Sequence, residues 1–423
     1  MVEKQNGGGM LSPYRVLDLT DEKGLLCGKL LGDLGADVIK IEKPGGDPAR
    51  KIGPFHHDDP DPEKSLFWFA FNTSKRGITL DIEKPEGKEI FKNLVENTDV
   101  VVESFSPGYM DKLGLGYSAL QKIKSDIVMV SVTPFGQTGP YKDYKTGDIV
   151  AWALGGYLYV FGDDDRPPIR ISHHSQAYLH AAAEAATGAV MALYYREITG
   201  EGQYVDVSIH ESVARLDMTH KWDMTGVNLR RGEWLGPVNI RLRYHWPCKD
   251  GYVMWNYWVG PAAALWTRPF LEWMAQEGAA DDFIRSINWE VIDANTEEGI
   301  KQAEEIQSRI IEPTVNFFMK HTKDELNEGA KKRGLMLYPI ANVKDVLESK
   351  QLALRGFWEK VEHPELGTSI TYPGAFAIAS EAEAMPGIDR RALLIGEHNE
   401  EIYTGEMGIS RDELSKLQHD GII

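Results

Sequence analysis

A chain of 423 residues, 42% hydrophobic and 26% charged, has the makeup of a soluble globular protein with room for two or three domains. Its 64 acidic against 46 basic residues leave a net charge of -18, which excludes non-specific nucleic-acid binding, because that needs basic surface to displace counterions. No apolar run reaches the ~18 residues of a membrane span, and two isolated cysteines, Cys27 and Cys248, point to a reduced, cytoplasmic setting.

Residues 1–13 read as a flexible lead without the apolar centre of a signal peptide. From there strands and helices alternate. "YRVLDLT" (14–20) and "DVIKIEKP" (37–44) are strand-like and flank "KGLLCGKLLGDLG" (23–35), whose apolar spacing is helical and which ends at glycine. "GITLDI" (77–82), a helix over 84–96, "DVVVES" (99–104) and "DIVMVSVTPFG" (126–136) continue the pattern. Near-continuous apolar strands separated by helices predict an α/β fold with a parallel sheet covered on both faces. The loop between Lys43 and Leu66 is long and rich in Pro, Gly and charge; His56 and His57 within it read as solvated rather than metal-binding.

"PPIRISHHSQAYLHAAAEAATG" (167–188) is an extended segment entering a long helix, and "QYVDVSIHESV" (203–213) is a second strand-to-helix turn. Residues 226–330 change character, being rich in Trp and Arg, with "CKDGYV" as a hairpin signal and helices over 260–276 and 298–320. They predict a smaller α+β domain inserted between two parts of the large one, 14–225 and 331–423.

No GxGxxG, Walker, HExxH or GxSxG pattern is present. What remains is a set of cations at strand ends and turns: Lys43, Arg50, Lys75, Arg76, Lys112 and Lys145. Ligands of open α/β sheets bind beyond the carboxyl ends of the strands, where such a set suits a multiply phosphorylated ligand.

The segments "YRVLDLT", "GKLLGDLGADVIKIEKPGGDPAR", "FNTSKRGITLDI", "DVVVESFSPGYMDKLGLGY", "SVTPFGQTGPY" and "YYREITGEGQYVDVSIHESV" together resemble the class III CoA-transferases, from Tyr14 to Val213 and more weakly to Pro373. The resemblance implies a Rossmann-like large domain built from both chain ends, and two chains threaded as interlocked rings. It implies no permanently bound cofactor, with coenzyme A or acyl-CoA as substrate. It carries the CoA contacts over to Lys43, Leu80, Ser104, Phe105, Lys112, Lys145 and Asp148.

The family reaction opens with an aspartate carboxylate that attacks the donor thioester. A mixed anhydride and CoA thiolate form, and then an aspartyl-CoA thioester that the acceptor carboxylate resolves. The matching position here is Tyr178, counting back from Gly188, or Ala177, counting from the Pro-Pro pair. Between Arg166 and Ala183 there is no Asp, Glu, Cys or Lys; Glu184 lies about 9 Å further along the helix. His173 and His174 suit a polar turn better than a base, and Gln176 a capping or positioning role better than a reacting one. The racemase branch of the family, which works with a His-Asp pair and a second acid, would find Gly147-Asp148 and Tyr178 in those places.

Within the family this pattern is similar to subunits that lack the aspartate. That implies a heteromer with a homologous, aspartate-bearing partner, transferring CoA from succinyl-CoA to an aromatic dicarboxylate such as benzylsuccinate. Arg230, Arg231, Arg241 and Arg243 in "GVNLRRGEWLGPVNIRLRYHW" are candidates for the non-reacting carboxylate. A homodimeric transferase with an unrecognised nucleophile and a CoA-binding regulatory pseudoenzyme are the other two readings.

Overall fold

The structure is a computed structural model that describes residues 9–162, 166–170, 172, 174–216, 244–293, 296–380 and 386–423. The chain divides into two units. The larger comprises residues up to Tyr159, Ile169–Lys221 and Ala353–Ile423; the smaller comprises Val160–Pro168 and Trp222–Leu352.

In the larger unit the elements follow in the order β1 (Arg15–Leu19), α1 (Leu25–Asp33), β2 (Asp37–Glu42), α2 (Leu66–Phe71), β3 (Lys75–Thr79), α3 (Pro85–Glu96) and β4 (Val100–Glu103). Then come α4 (Tyr109–Leu113), α5 (Tyr117–Ile123), β5 (Val128–Thr133), α6 (Asp148–Leu154), α7 (Tyr157–Val160), α8 (Gln176–Thr199), β6 (Tyr204–Ser208) and α9 (Ile209–Leu216). The six strands form one sheet in the order β3-β2-β1-β4-β5-β6. Every pairing in it is parallel. The alternation of strand side chains divides the core. Val16, Val38, Val100, Val128 and Val130 pack on one face with Cys27, Leu31 and the alanines of α8. Leu17, Ile39, Ile78, Val101 and Met129 pack on the other with Phe91, Leu94 and the C-terminal Leu414 and Leu417. Strands β4 and β5 are largely apolar on both sides because both faces are covered, as their continuous Val runs predict.

Helix α8 lies against the sheet through small side chains: Ala177, Ala181, Ala182, Ala185, Ala189 and Ala192 are all buried. A Cβ on Gly28 of α1 would stand 2.2 Å from the Asp18 carboxylate, so glycine is what allows α1 to pass over the end of β1. After the small unit the chain returns as an antiparallel pair, β10 (Trp358–His363) and β11 (Thr368–Pro373), and its last segment clasps the β3 edge. Ser74 N donates to Arg390 O, and Asp81 N donates to Ile422 O at 2.7 Å.

The small unit carries β7 (His245–Cys248), β8 (Gly251–Met254) and β9 (Tyr338–Ile340) as an antiparallel sheet in that order. Pro247 and Pro339 fall on its two edge strands, where a missing N–H costs least. Trp246, Trp255, Phe270, Phe317 and Phe318 build its core, and Tyr257 stacks on Trp289 with centroids 5.2 Å apart. The tryptophan-rich composition of this stretch is therefore a packing feature. Strand β9 is a correction: the sequence placed everything after residue 330 in the large domain, whereas Tyr338–Ile340 pairs with β8 and the small unit runs on to Leu352.

Candidate active site at the sheet switch point

In the order 3-2-1-4-5-6 the strand order reverses between β1 and β4, and the crevice beyond their carboxyl ends is the expected ligand site. The residues that follow the two strands meet there. Asp21 N donates to Ser104 Oγ at 2.9 Å, and Ser104 Oγ donates to Asp21 Oδ1 at 2.8 Å. Lys23 closes an ion pair on Asp21. Glu22 stands half-buried between them, and burial, reinforced by the Asp21 charge, holds its carboxyl above the usual range.

Two further groups face this crevice. Tyr178, on the first turn of α8, is 6% exposed, and among the described residues its hydroxyl has no hydrogen-bond partner. Burial first, then the charges of Glu22, Asp148 and Asp21, push its hydroxyl up to about 12, so it is a protonated donor at neutral pH. Beside it Ala177 N donates to Asp148 Oδ1 at 2.8 Å, while Arg170 lies 3.3 Å from Asp148 Oδ2. Asp148 thus supplies the anion that a helix amino end favours. Ala177 is wholly buried and has no functional side chain to offer.

Glu103, the last residue of β4, is nearly fully buried. Burial raises its carboxyl to about 7, against the opposing effect of hydrogen bonds from Ser131 and the Phe105 N–H. Because the folded protein holds this proton more tightly than the unfolded chain does, its contribution to stability falls as pH rises from the ordinary 4.5 to about 7. Relative to wild type, Glu103→Gln gains about 3 kcal/mol between these limits, measured by chemical denaturation at a series of pH values. A difference that stays flat across that interval would show that Glu103 is not protonated in the fold.

The cations predicted from sequence separate into two groups. Lys43, Lys112 and Lys145 are exposed, in the segments that follow β2, β4 and β5. Arg50, Lys75 and Arg76 are not ligand-facing. Arg50 forks onto Glu42 at 2.7 and 2.8 Å and lies 3.9 Å over the Trp68 ring. Lys75 Nζ donates to Asp18, Leu25 O and Asn72. Arg76 bridges Asp37 to Glu401 and Glu406. Each is a buried cation neutralised by carboxylates, so the sequence reading of these three as phosphate contacts is corrected.

Of the other candidates, Ser104 is engaged with Asp21, and Phe105 packs against Tyr109 as a tilted ring pair with centroids 4.7 Å apart. Leu80 is 1% exposed, with its side chain inside the core. Arg230, Arg231, Arg241, Arg243 and His173 lie outside the described residues. Sequence reasoning passed over Asp21, Glu22, Glu83 and Glu103. The signal available for the first two was the charged triplet Asp21-Glu22-Lys23 directly after the first strand.

The profile of CoA-transferase family III matches residues 11–399. The chain belongs to that family. It is 36% identical over 420 residues, 98% of each chain, to the succinyl-CoA:(R)-benzylsuccinate CoA-transferase subunit BbsE of Thauera aromatica. It is 33% identical, again over 98% of each chain, to the succinyl-CoA–D-citramalate CoA-transferase of Chloroflexus aurantiacus. A crystal structure of a CaiB/BaiF family protein from Brucella suis superposes with a TM-score of 0.79 at 27% identity, covering 95% of this chain and all of that one. Members of family III take acyl-CoA as substrate without a permanently bound cofactor. Among the described residues no helix is long and apolar enough to cross a membrane.

Proposed function

We propose that the chain is the subunit without the nucleophilic aspartate in a heteromeric, cytoplasmic class III CoA-transferase. The complex moves CoA from succinyl-CoA to an aromatic dicarboxylate such as benzylsuccinate, and a homologous partner carries the aspartate. The observation that carries this reading is the turn of Tyr178 and Ala177, the two positions matched to the aspartate: Tyr178 is a phenol kept protonated by burial and by the carboxylates around it, and Ala177 is a buried methyl. A neutral phenol is neither a carboxylate nor a good nucleophile, and its aryl ester is no counterpart of the mixed anhydride. The likeness to a benzylsuccinate transferase subunit supports the substrate class.

The outer face of α8 supports a second chain. Met191, Tyr194, Tyr195 and Ile198, spaced i, i+3, i+4, i+7, are between 42% and 70% exposed. An apolar stripe of that kind on one helix calls for a covering surface, and a homologue in an interlocked pair would provide one. The test is CoA transfer from succinyl-CoA to benzylsuccinate by the purified chain, alone and together with an aspartate-bearing homologue. Activity in the mixture alone supports the reading, and full activity in the isolated chain overturns it.

One observation favours a second reading. Glu22 is a half-buried carboxylate with a raised pKa that faces Tyr178, so a homodimer using Glu22 as nucleophile is the competing account. In either case the four arginines of the middle segment are assigned to the carboxylate that does not react. Replacing Arg231 or Arg241 by Ala raises KM for the dicarboxylate about tenfold or more, and KM for the CoA thioester by less than about twofold. Equal rises for both substrates in steady-state kinetics would assign these arginines to the fold.

A further inference from the structure

Lys43, the first residue beyond β2, is not a free cation. Its Nζ lies 2.9 Å from Oε1 of Glu83, both side chains being about half exposed. The Tyr109 hydroxyl donates to the same carboxylate oxygen. These hydrogen bonds, from Tyr109 first and then from Lys43, hold the Glu83 carboxyl below its ordinary range. The three residues come from different places: the end of β2, the β3–α3 turn and the start of α4. They meet at the carboxyl edge of the sheet, next to the ring pair Phe105–Tyr109. Asp81 adds a second negative charge within reach of Tyr109. Lys84, the next cation along, is turned away and donates to Asp420 O and Gly421 O at the chain terminus.

We propose that Glu83 is a specificity-determining residue that keeps this chain's phosphate-ester site filled with its own carboxylate. The inference rests on the proposed CoA-transferase reading and on the resemblance that makes Lys43 a contact to CoA, a phosphate ester. A phosphate oxygen and the Glu83 carboxylate compete for the same two donors, Lys43 Nζ and the Tyr109 hydroxyl. A phosphorylated ligand therefore binds only by expelling a like charge from the cation it needs. The exposed Lys43–Glu83 pair is itself worth little, so Glu83 can leave. The repulsion between a retained carboxylate and an incoming phosphate remains, and it weakens binding. The consequence for the complex is a division of labour, in which CoA is held weakly in this chain's crevice and its tight site lies elsewhere.

The test is CoA binding to the full chain by calorimetry at low salt, for wild type, Glu83→Gln, Glu83→Gln with Lys43→Ala, and Glu328→Gln. Glu328 is an exposed carboxylate paired with Lys331 in the small unit and serves as a control for net charge. Glu83→Gln is expected to tighten CoA about fivefold, a gain that disappears when Lys43 is also replaced and that Glu328→Gln does not reproduce. Unchanged or weaker binding in Glu83→Gln would overturn the proposal. So would a gain that survives loss of Lys43, or an equal gain from Glu328→Gln. None of these results bears on whether the chain needs an aspartate-bearing partner, which the transfer assay decides separately.

Discussion

Replacing Lys75 by Met destabilises the parallel sheet by about 3–5 kcal/mol, the scale expected when one partner of a buried ion pair is removed. Lys75 and Asp18 are both wholly inaccessible, with Nζ 2.8 Å from Oδ2. Lys75 also satisfies Leu25 O and Asn72 Oδ1, while Asp18 Oδ1 accepts the Thr20 N–H and hydroxyl. Lys40, equally buried, donates to Thr20 O and lies 3.3 Å from Asp47. Without Lys75, Asp18 keeps its charge with one lysine fewer and two acceptors lose their donor. The loss is read as reduced hydrogen-exchange protection of the β1, β2 and β3 amides, which isolates this sheet from the small unit. Replacing Asp18 by Asn at the same time recovers part of it, because no orphaned charge remains. A change below about 1 kcal/mol for Lys75→Met would show that water reaches the network.

In a reconstituted complex, changing the partner's aspartate to Asn slows transfer at least about a thousandfold, the order of loss when a covalent nucleophile is removed. Tyr178→Phe in this chain is expected to change kcat by less than about threefold, because it deletes a hydroxyl that has no hydrogen-bond partner among the described residues and that the proposed mechanism does not use as acyl carrier. The contrast is what matters. If Tyr178→Phe were as damaging as the partner's substitution, the crevice of this chain would be a working one. A matched slowing by Glu22→Gln would point the same way and favour the Glu22 account.

Much of the sheet was legible because its strands are runs such as "VVVE" and "VMVSVT", which only a doubly covered parallel sheet buries. The glycine end of α1 and the "CKDGYV" hairpin were legible for local reasons of backbone geometry. Lys75 and Arg76 were misread because charge alone suggests surface. Their partners lie 57 residues away at Asp18 and more than 320 away at Glu401 and Glu406, and no local pattern encodes those distances. Tyr338–Ile340 was misassigned because a three-residue strand carries almost no periodicity, and its place is set by pairing with Tyr252–Met254. At the crevice, the sequence narrowed the position matched to the family aspartate to Tyr178 or Ala177. That Asp21 and Glu22 face it follows from the β1–β4 switch point, a property of strand order rather than of the turn itself.

In the proposed complex this chain supplies no acyl-accepting carboxylate. The most direct test is intact-mass spectrometry of the reconstituted complex after brief exposure to succinyl-CoA, with peptide mapping of any acyl or CoA adduct. The account predicts an adduct on the partner's aspartate and none on this chain. An adduct on this chain, at Glu22 or at any other carboxylate, would contradict it.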